Sequence, residues 1–517
     1  MGHARNKALD LREVELKFQF SPGGLTKLEK NCVLAGTEAK KLHQVTTYFA
    51  TPNAVLDKGG LTLRVRKSGK LRIQTVKSRA DGRGVATNRN EWEWRIAQNM
   101  PDVEKLKSTR GLYKVAKQIE GKLEPVFVTD IQRTVRLLRQ DGNSIVEAAI
   151  DVGWIRSGIT SEPVHELELE LKGGGYEALY QLAAQFQKLA PLRISAESKA
   201  ARGWHLRTGQ TEPARAARLP KLRRNISVAE GFHKIIGGTL GHLIANIGPT
   251  LRGDPEGVHQ MRIALRRCRA ALKLFAPHLG DEPAGKFDDA LRHLGRVFGK
   301  ARDWDVFCLE TLPAAMVELP AECLRDLKAP ADVERRVAHA SVINAICGPR
   351  FGALILELAI WTEAGLARPD TLGDRRMYEQ LAALAPSLLD RIARQAMKKA
   401  RHPGRLSAKK LHQLRKTLDQ LCNDIEGVTG LFPPRTVESY RVQCEGVQEI
   451  LGSANDAFVA KQLTLNLLKR ERTDLTRPGD ILVLWSKRRR RKTMRGLKGA
   501  LRHLRETPAF WSKSHNR

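Results

Sequence analysis

Two short stretches concentrate carboxylates in a pattern suited to holding a metal ion beside a phosphorylated substrate. In "REVELKFQF", Arg12 to Phe20, a period of two puts Glu13, Glu15 and Lys17 on one strand face and Val14, Leu16, Phe18 and Phe20 on the other. "HELELELKGG", His165 to Gly174, repeats the arrangement, with Glu166, Glu168, Glu170 and Lys172 opposite Leu167, Leu169 and Leu171. One such stretch is the ordinary solvent face of an amphipathic strand. A second is harder to explain by solvation, because carboxylates in a row repel one another unless a cation neutralises them. Oxygen-only carboxylate ligands suit Mg2+ or Mn2+.

Cationic positions fall on strand faces as well. "LRVR" places Arg64 and Arg66 on one side, "IQTVK" puts Lys77 in phase with Ile73 and Thr75, and "TDIQRTVR" sends Arg133 and Arg136 to opposite sides. Asp151 is in phase with Glu147. Singly, each is ordinary surface charge; jointly they describe one sheet face holding a carboxylate cluster and an arginine cluster. Guanidinium forks bind phosphate oxygens bidentately. An enclosed site of this kind can bind several phosphates, neutralise the phosphoryl group in transfer and ready a metal-bound water. The chain has no Gly-rich loop ending in Gly-Lys-Ser or Gly-Lys-Thr, which excludes a Walker-type site.

The elements that must position these residues change character along the chain. Up to about residue 210, strand patterns dominate: "LTLRVRKSG", "KLRIQTVKS", "NEWEWRI", "PVFVTDIQRTVRLL", "SIVEAAIDVGWI" and "HELELELK", separated by Gly, Asp and Asn turns. Helical stretches are expected around 21–33, 102–120 and 176–189. Short turns between successive strands predict an antiparallel sheet, and charges on one face after another predict its closure into a barrel with a polar interior. "RTGQTEPARAARLPKLRR" reads as a linker. Beyond about 225 the pattern is all-α, as in Ile263, Leu265, Leu272 and Leu274, or Leu411, Leu414, Leu418 and Leu421. The whole is a multidomain α+β chain, with expected boundaries at 8–210, a linker at 211–224 and a helical domain at 225–510.

The helical part contains a duplication. "HQMR" at His259 is echoed by "HQLR" at His412, and "LGRVFGKARDWDVF" by "LGSANDAFVA"; His259 to Asp303 and His412 to Asp456 are both separations of 44 residues. His259, Arg262, Arg266, Arg269 and Lys273 follow spacings of three and four and so share one helix face. Arg302, in the first unit, and His412, Arg415 and Lys416, in the second, are further candidates for binding an anion. Asp419 and Gln420 stand where the first unit has Arg266 and Arg267, which weakens the second basic face. In "KRRRRKTMRGLKGALRHL", Arg491, Arg495, Lys498 and Arg502 are expected to share another.

Bulk composition agrees with anionic partners. Residues 1–210 carry 35 Lys and Arg against 23 Asp and Glu, and residues 211–517 carry 54 against 33. Only 5% of residues are aromatic, which leaves few platforms for base stacking and argues for a phosphate polymer without bases rather than nucleic acid. Seven scattered cysteines (Cys32, Cys268, Cys308, Cys323, Cys347, Cys422, Cys444) form no CxxC pair, so neither a disulfide framework nor a zinc knuckle is expected. "MGHARNKALD" has no apolar run, and "FGALILELAIW" is short and interrupted by Glu357, so a cytoplasmic protein that spans no membrane is expected.

"EVELKF" resembles the ExExK signature of CYTH domains, the triphosphate tunnel metalloenzymes. The likeness continues in "LRVR", "VFVTDIQR", "IDVGWI", "HELELELK" and "ISAESKAARGW" over most of 10–208. It implies an eight-stranded antiparallel β-tunnel with Glu13, Glu15, Glu168 and Glu170 around Mg2+ or Mn2+, and Lys17, Arg64, Arg66, Lys77, Arg133 and Lys199 on the phosphates. Asp151, Glu166 and Lys172 would support them. The family includes inorganic triphosphatases, thiamine triphosphatases and adenylate cyclases, and ExExK does not choose among them. The helical half resembles CHAD domains, α-helical and associated with inorganic polyphosphate. The pairing of the two resembles bacterial inorganic triphosphatases, which implies triphosphate hydrolysis beside a polyphosphate-binding domain and an association with polyphosphate granules. A polyphosphate anchor with little or no catalysis is the alternative.

Overall fold

A strand that alternates charged and apolar residues satisfies both faces when its sheet curls, with the charges inside and helices over the apolar outside. The computed structural model describes residues 9–30, 33–34, 36–79, 84–140, 144–401, 406–470 and 476–512. In it β1 (Leu9–Gln19), β2 (Lys40–Ala50), β3 (Leu61–Ser68), β4 (Leu71–Ser78), β5 (Thr87–Arg95), β6 (Glu124–Gln140), β7 (Ser144–Ser157) and β8 (Thr160–Gly173) make one antiparallel sheet. Its order is β5-β4-β3-β2-β6-β7-β8-β1, and β5 pairs back onto β1, closing an eight-stranded barrel. The two-residue β9 (Arg193–Ile194) lies beside β1 at Phe18 and Gln19, beyond the stretch that β5 pairs.

Register places the charged phase of each strand inside. Lys17 faces Glu168 and Glu15 faces Glu170 across β1 and β8; Arg133 faces Asp151, which in turn faces Glu166; Arg64 faces Thr75 and Tyr48. The other phase forms the core. Leu16, Phe18, Leu167 and Leu169 are buried, and α5 (Tyr176–Leu189) packs over β7 and β8 with Leu179, Leu182 and Phe186 inward. Over β3 to β5, Leu63, Val65, Val76 and Trp94 join Leu56, Leu106, Leu112 and Ile119 from α2 (Val55–Lys58), α3 (Val103–Lys107) and α4 (Tyr113–Ile119) and the turn between the last two. The remaining helix before these, α1 (Pro22–Glu29), touches α5.

Of the eight barrel strands, one escapes the sequence reading. In β2, "KKLHQVTTYFA", the apolar residues fall at Leu42, Val45, Tyr48 and Phe49, on both phases, so no period-two signal stands out. Its neighbours β3 and β6 recruit it by backbone pairing along its length.

α6 (Lys199–Thr208) starts at Ser198, whose hydroxyl caps the Ala201 N–H, and lies close against β6 because Gly203 has no side chain. A Cβ there would sit 2.2 Å from a ring carbon of Phe127, which itself stacks on Tyr48 at 4.5 Å.

Helices follow: α7 (Val228–Ala245), α8 (Ile247–Leu251), α9 (Pro255–Phe275), α10 (Asp281–Val306), α11 (Leu312–Glu318), α12 (Lys328–Cys347), α13 (Pro349–Ala367), α14 (Leu381–Lys399), α15 (Ala408–Val428), α16 (Pro434–Arg470), α17 (Thr476–Met494) and α18 (Leu497–Glu506). α9 is capped by Asp254 on the Glu256 N–H, opens with Pro255 and buries Val258, Met261, Leu265, Cys268, Leu272 and Phe275 at helical spacing. Ser407 caps α15 likewise. The repeated pairs pack as units: α9 on α10, α15 on α16, then α9 against α15 and α10 against α16.

The chain divides into two compact units. The first is Met1–Arg215 with Leu240–Arg252 and Ile346–Glu363; the second is Ala216–Thr239, Gly253–Ala345 and Ala364–Arg517. Cys268, Cys308, Cys347, Cys422 and Cys444 are free thiols, while Cys32, the side chain of Cys323 and residues 1–8 lie outside the described residues. Among the described residues no single helix is long and apolar enough to cross a membrane.

Gly203→Ala adds a methyl with nowhere to go, and the ring of Phe127 must move. Despite the better helix propensity of Ala, we expect a net loss of about 1–3 kcal/mol, read as a lower melting temperature. An unchanged or raised melting temperature would contradict the close packing of α6.

Candidate active site

The barrel encloses a cavity of about 680 Å3. Ten carboxylates and ten Lys or Arg side chains line it, so the described walls are electrically balanced. Such a density of buried charge survives only through pairing, since each isolated ion loses several kcal/mol of hydration.

The pairs are specific. Glu13 accepts from Lys77 Nζ at 2.7 Å and Arg89 Nε at 2.7 Å. Glu15 pairs with Lys17 at 2.9 Å and with Arg89. Asp151 receives both branches of Arg133 at 2.7 and 2.6 Å and also Lys199 at 2.8 Å. Glu168 is shared by Arg133, Lys199 at 2.9 Å and Lys17 at 3.7 Å. Glu166 takes Lys199 and Arg202. Lys172 reaches Glu170 at 2.7 Å. Burial raises the Glu13, Asp151 and Glu168 carboxyls, but their cationic neighbours outweigh it and hold all three below the usual carboxylate range. Glu170 differs: burial dominates and its carboxyl is pushed up.

Arg64 and Arg66 are less completely matched. Arg66 meets Glu93 at 3.0 Å and Arg64 lies 3.8 Å from Glu91, yet the buried Nε of each has no hydrogen-bond partner. Burial and the neighbouring Arg64 lower the affinity of Arg66 for its proton. Burial and the like charges of Arg89 and Arg64 do the same to Lys77. This side of the cavity favours an added anion. Tyr48, buried and bonded to Arg64, fixes the orientation of that guanidinium.

Every expected tunnel residue therefore lies in one barrel interior: Glu13, Glu15, Lys17, Arg64, Arg66, Lys77, Arg133, Asp151, Glu166, Glu168, Glu170, Lys172 and Lys199. Arg136 points out instead and donates to the Leu34 carbonyl at 3.1 Å, as its opposite phase implies. Arg89, Glu91, Glu93, Tyr48 and Arg202 belong to the site but were not singled out from sequence. In "NRNEWEWRI" the phase of Arg89, Glu91 and Glu93 alternates with Trp92 and Trp94, a signal equal to those used elsewhere. Among the described residues no three His, Cys, Asp or Glu side chains converge as metal ligands. The carboxylates Glu13, Glu15 and Glu168 are engaged by lysine and arginine, and a divalent ion would have to take the place of some of these contacts.

In the second unit the duplication brings two helix faces together. Arg262 on α9 feels Arg266, Arg415 on α15, and the carboxylates Asp303 and Asp419. Burial raises Asp303 and Asp456, which interact across α10 and α16. Burial and then Arg302 lower His259; burial and then Lys416 and Arg415 lower His412. The buried Nδ1 of His259 and Nε of Arg415 have no hydrogen-bond partner. Arg269 is separate, tied to Asp288 at 2.8 Å, and Lys273 is exposed further along α9. The face expected of Arg491, Arg495, Lys498 and Arg502 is not one helix surface: α17 ends at Met494, α18 begins at Leu497, and the turn between them at Arg495 and Gly496 interrupts it.

Residues 11–204 match the CYTH domain family and residues 234–465 the CHAD domain family. The chain carries a CYTH domain followed by a CHAD domain. An inorganic triphosphatase of Haemophilus influenzae is 31% identical over 205 residues, 39% of this chain and 56% of that protein, so the chain spans little more than half of the relative's length. The crystal structure of the CHAD domain from the plant Ricinus communis is 25% identical and covers 56% of this chain and 97% of that one, with a TM-score of 0.50. The charged barrel is thus the CYTH domain, and the α9, α10, α15, α16 cluster lies in the CHAD domain.

Replacing Asp151 by Asn removes the most deeply buried of the carboxylates that Arg133 and Lys199 share and leaves them Glu168, which should cost about 1.5–3 kcal/mol of stability at neutral pH. The folded-state pKa of Asp151 is depressed, so its contribution is present above the unfolded value near 3.9 and lost as pH falls through the folded one. Denaturant unfolding from pH 8 to 3 should show a plateau and then an acid decline, shallower in Asp151→Asn. Parallel curves with equal plateaus would contradict the pairing.

Proposed function

We propose that the CYTH domain hydrolyses inorganic triphosphate to pyrophosphate and phosphate with the help of a divalent cation, and that the CHAD domain binds inorganic polyphosphate. The observation that carries the first part is the pair of buried, incompletely bonded guanidinium groups of Arg64 and Arg66 in an enclosed cavity of balanced charge. Linear phosphate offers oxygens on every side, and Arg64, Arg66, Lys77, Arg133 and Lys199 surround the space from three strands and α6. Their forks and ammonium groups would orient the chain and stabilise charge that builds on the bridging oxygen as the anhydride breaks. Tyr48 and Asp151 keep Arg64 and Arg133 aimed, so little reorganisation is left for the reaction itself.

Balanced walls cannot offset a triphosphate alone. The CYTH family implies a divalent cation, and Glu13, Glu15, Glu168 and Glu170 are the oxygen donors that would hold it. Once bound, it would neutralise phosphate charge and supply an activated water. Lys17, shared between Glu15 and Glu168, is the cation best placed to give way and turn to the phosphates.

The CHAD reading rests on the cluster of His259, Arg262, Arg266, Arg302, His412, Arg415 and Lys416. Burial and then neighbouring charges that include several cations lower the proton affinity of His259, Arg262 and His412, so an added anion would relieve them, and a polyanion releases condensed counterions on binding.

The test is phosphate release from triphosphate by the full chain with and without Mg2+ or Mn2+. Arg64→Ala and Glu168→Gln should each lower kcat/KM by about 100-fold or more with folding retained. Metal-independent or wild-type-like turnover would contradict the proposal. Arg262→Ala with Arg415→Ala should weaken binding of long-chain polyphosphate and flatten its salt dependence while triphosphate hydrolysis is unchanged. Undiminished polyphosphate binding in that double variant would remove the CHAD site.

A further inference from the structure

Residues 210–215 have no regular secondary structure, yet they are gripped from both ends. The fully buried Asn246 accepts from the Arg215 N–H at 2.9 Å and donates to the Arg215 carbonyl at 3.0 Å; His242 Nε2 lies 3.0 Å from the same carbonyl. Arg252 donates to the Glu212 carbonyl at 3.1 Å and to Glu197 at 2.5 Å, which ties it to the segment just before Lys199. Asn246 thus uses both halves of its amide on one residue's backbone, as a strand partner would. All these groups belong to the first compact unit.

Held there, Gln210–Pro213 and Arg215 line the charged cavity beside Ala196, Ser198 and Trp204. Along β8 the inward residues step from Glu166, bonded to Lys199, to Glu170, opposite Glu15. The strap therefore stands at the Lys199 end, away from the Glu170 end. We propose that it walls off that end of the tunnel, so that linear phosphates enter from the Glu170 side, stop against the strap and present one anhydride bond in a fixed register. The inference rests on the triphosphatase reading and adds to it a positioning device built from the segment between the domains. Without a stop, a uniform phosphate chain can slide by one unit, because each phosphate offers the same oxygens to the same cations.

Tetraphosphate reports register directly. One molecule of water gives either triphosphate and phosphate or two pyrophosphates, depending on which bond lies at the reacting position. The full wild-type chain should give a single initial pattern. Asn246→Ala, and independently the milder Arg252→Ala, should give both, with kcat on triphosphate little changed and folding checked by thermal melting. A second readout needs no turnover: saturating triphosphate should slow tryptic cleavage after Arg215 by about fivefold, since a ligand that meets the strap disfavours its opening. Calorimetric titration of triphosphate separates the two readings. If triphosphate does not bind, the triphosphatase reading fails. If it binds but Arg215 is unprotected, or wild type and a folded variant give the same mixed products, the wall is overturned.

Discussion

The constraint on which the barrel depends is that charges taken out of water must find partners. Asp151 answers both Arg133 and Lys199, and Glu168 answers those two and Lys17. Removing one member strands the others, so the interior behaves as a lattice rather than a set of separate bridges. Period-two strands are the simplest way to build it, because closure sends one phase inward from every strand at once. The apolar phase then faces outward and must be covered, which is the work of α2 to α5.

On the proposed reading, the same balance prepares the cavity for ligand. Carboxylates hold the cations in place without fully satisfying them, as the free Nε groups of Arg64 and Arg66 show. A phosphate chain with its counterion can then exchange into contacts already shaped for it. The CHAD domain meets the same requirement by other means. Two similar helix pairs set basic faces side by side, and Asp303 and Asp456 moderate the repulsion. On the proposed reading, one half would enclose its anion and the other would meet it with a surface cluster.

Much of this was legible because strand alternation and helix spacing are both local. Glu13, Glu15, Glu168 and Glu170 could be placed from their own neighbours, and the 44-residue spacing shared by His259–Asp303 and His412–Asp456 marked the duplicated unit, though not that α9 and α15 pack together. What stayed hidden depended on partners distant in sequence. β2 has no alternation of its own and is defined by β3 and β6. Arg89 carries the same local alternation as the residues singled out, but its pairing with Glu13 exists only once β5 closes onto β1. The basic run near the C-terminus looked continuous because a helical wheel carries no record of the turn at Arg495 and Gly496. The strap between the domains read as a linker because its order comes from Asn246, His242 and Arg252 rather than from its own composition.

The most direct test of the central claim is a crystal structure of the full chain with triphosphate and Mn2+, using the anomalous signal to locate the metal. The account predicts triphosphate inside the barrel, in contact with Arg64, Arg66 and Arg133, and a manganese peak among Glu13, Glu15, Glu168 and Glu170. Triphosphate bound only outside the barrel, or manganese bound away from those carboxylates, would contradict it.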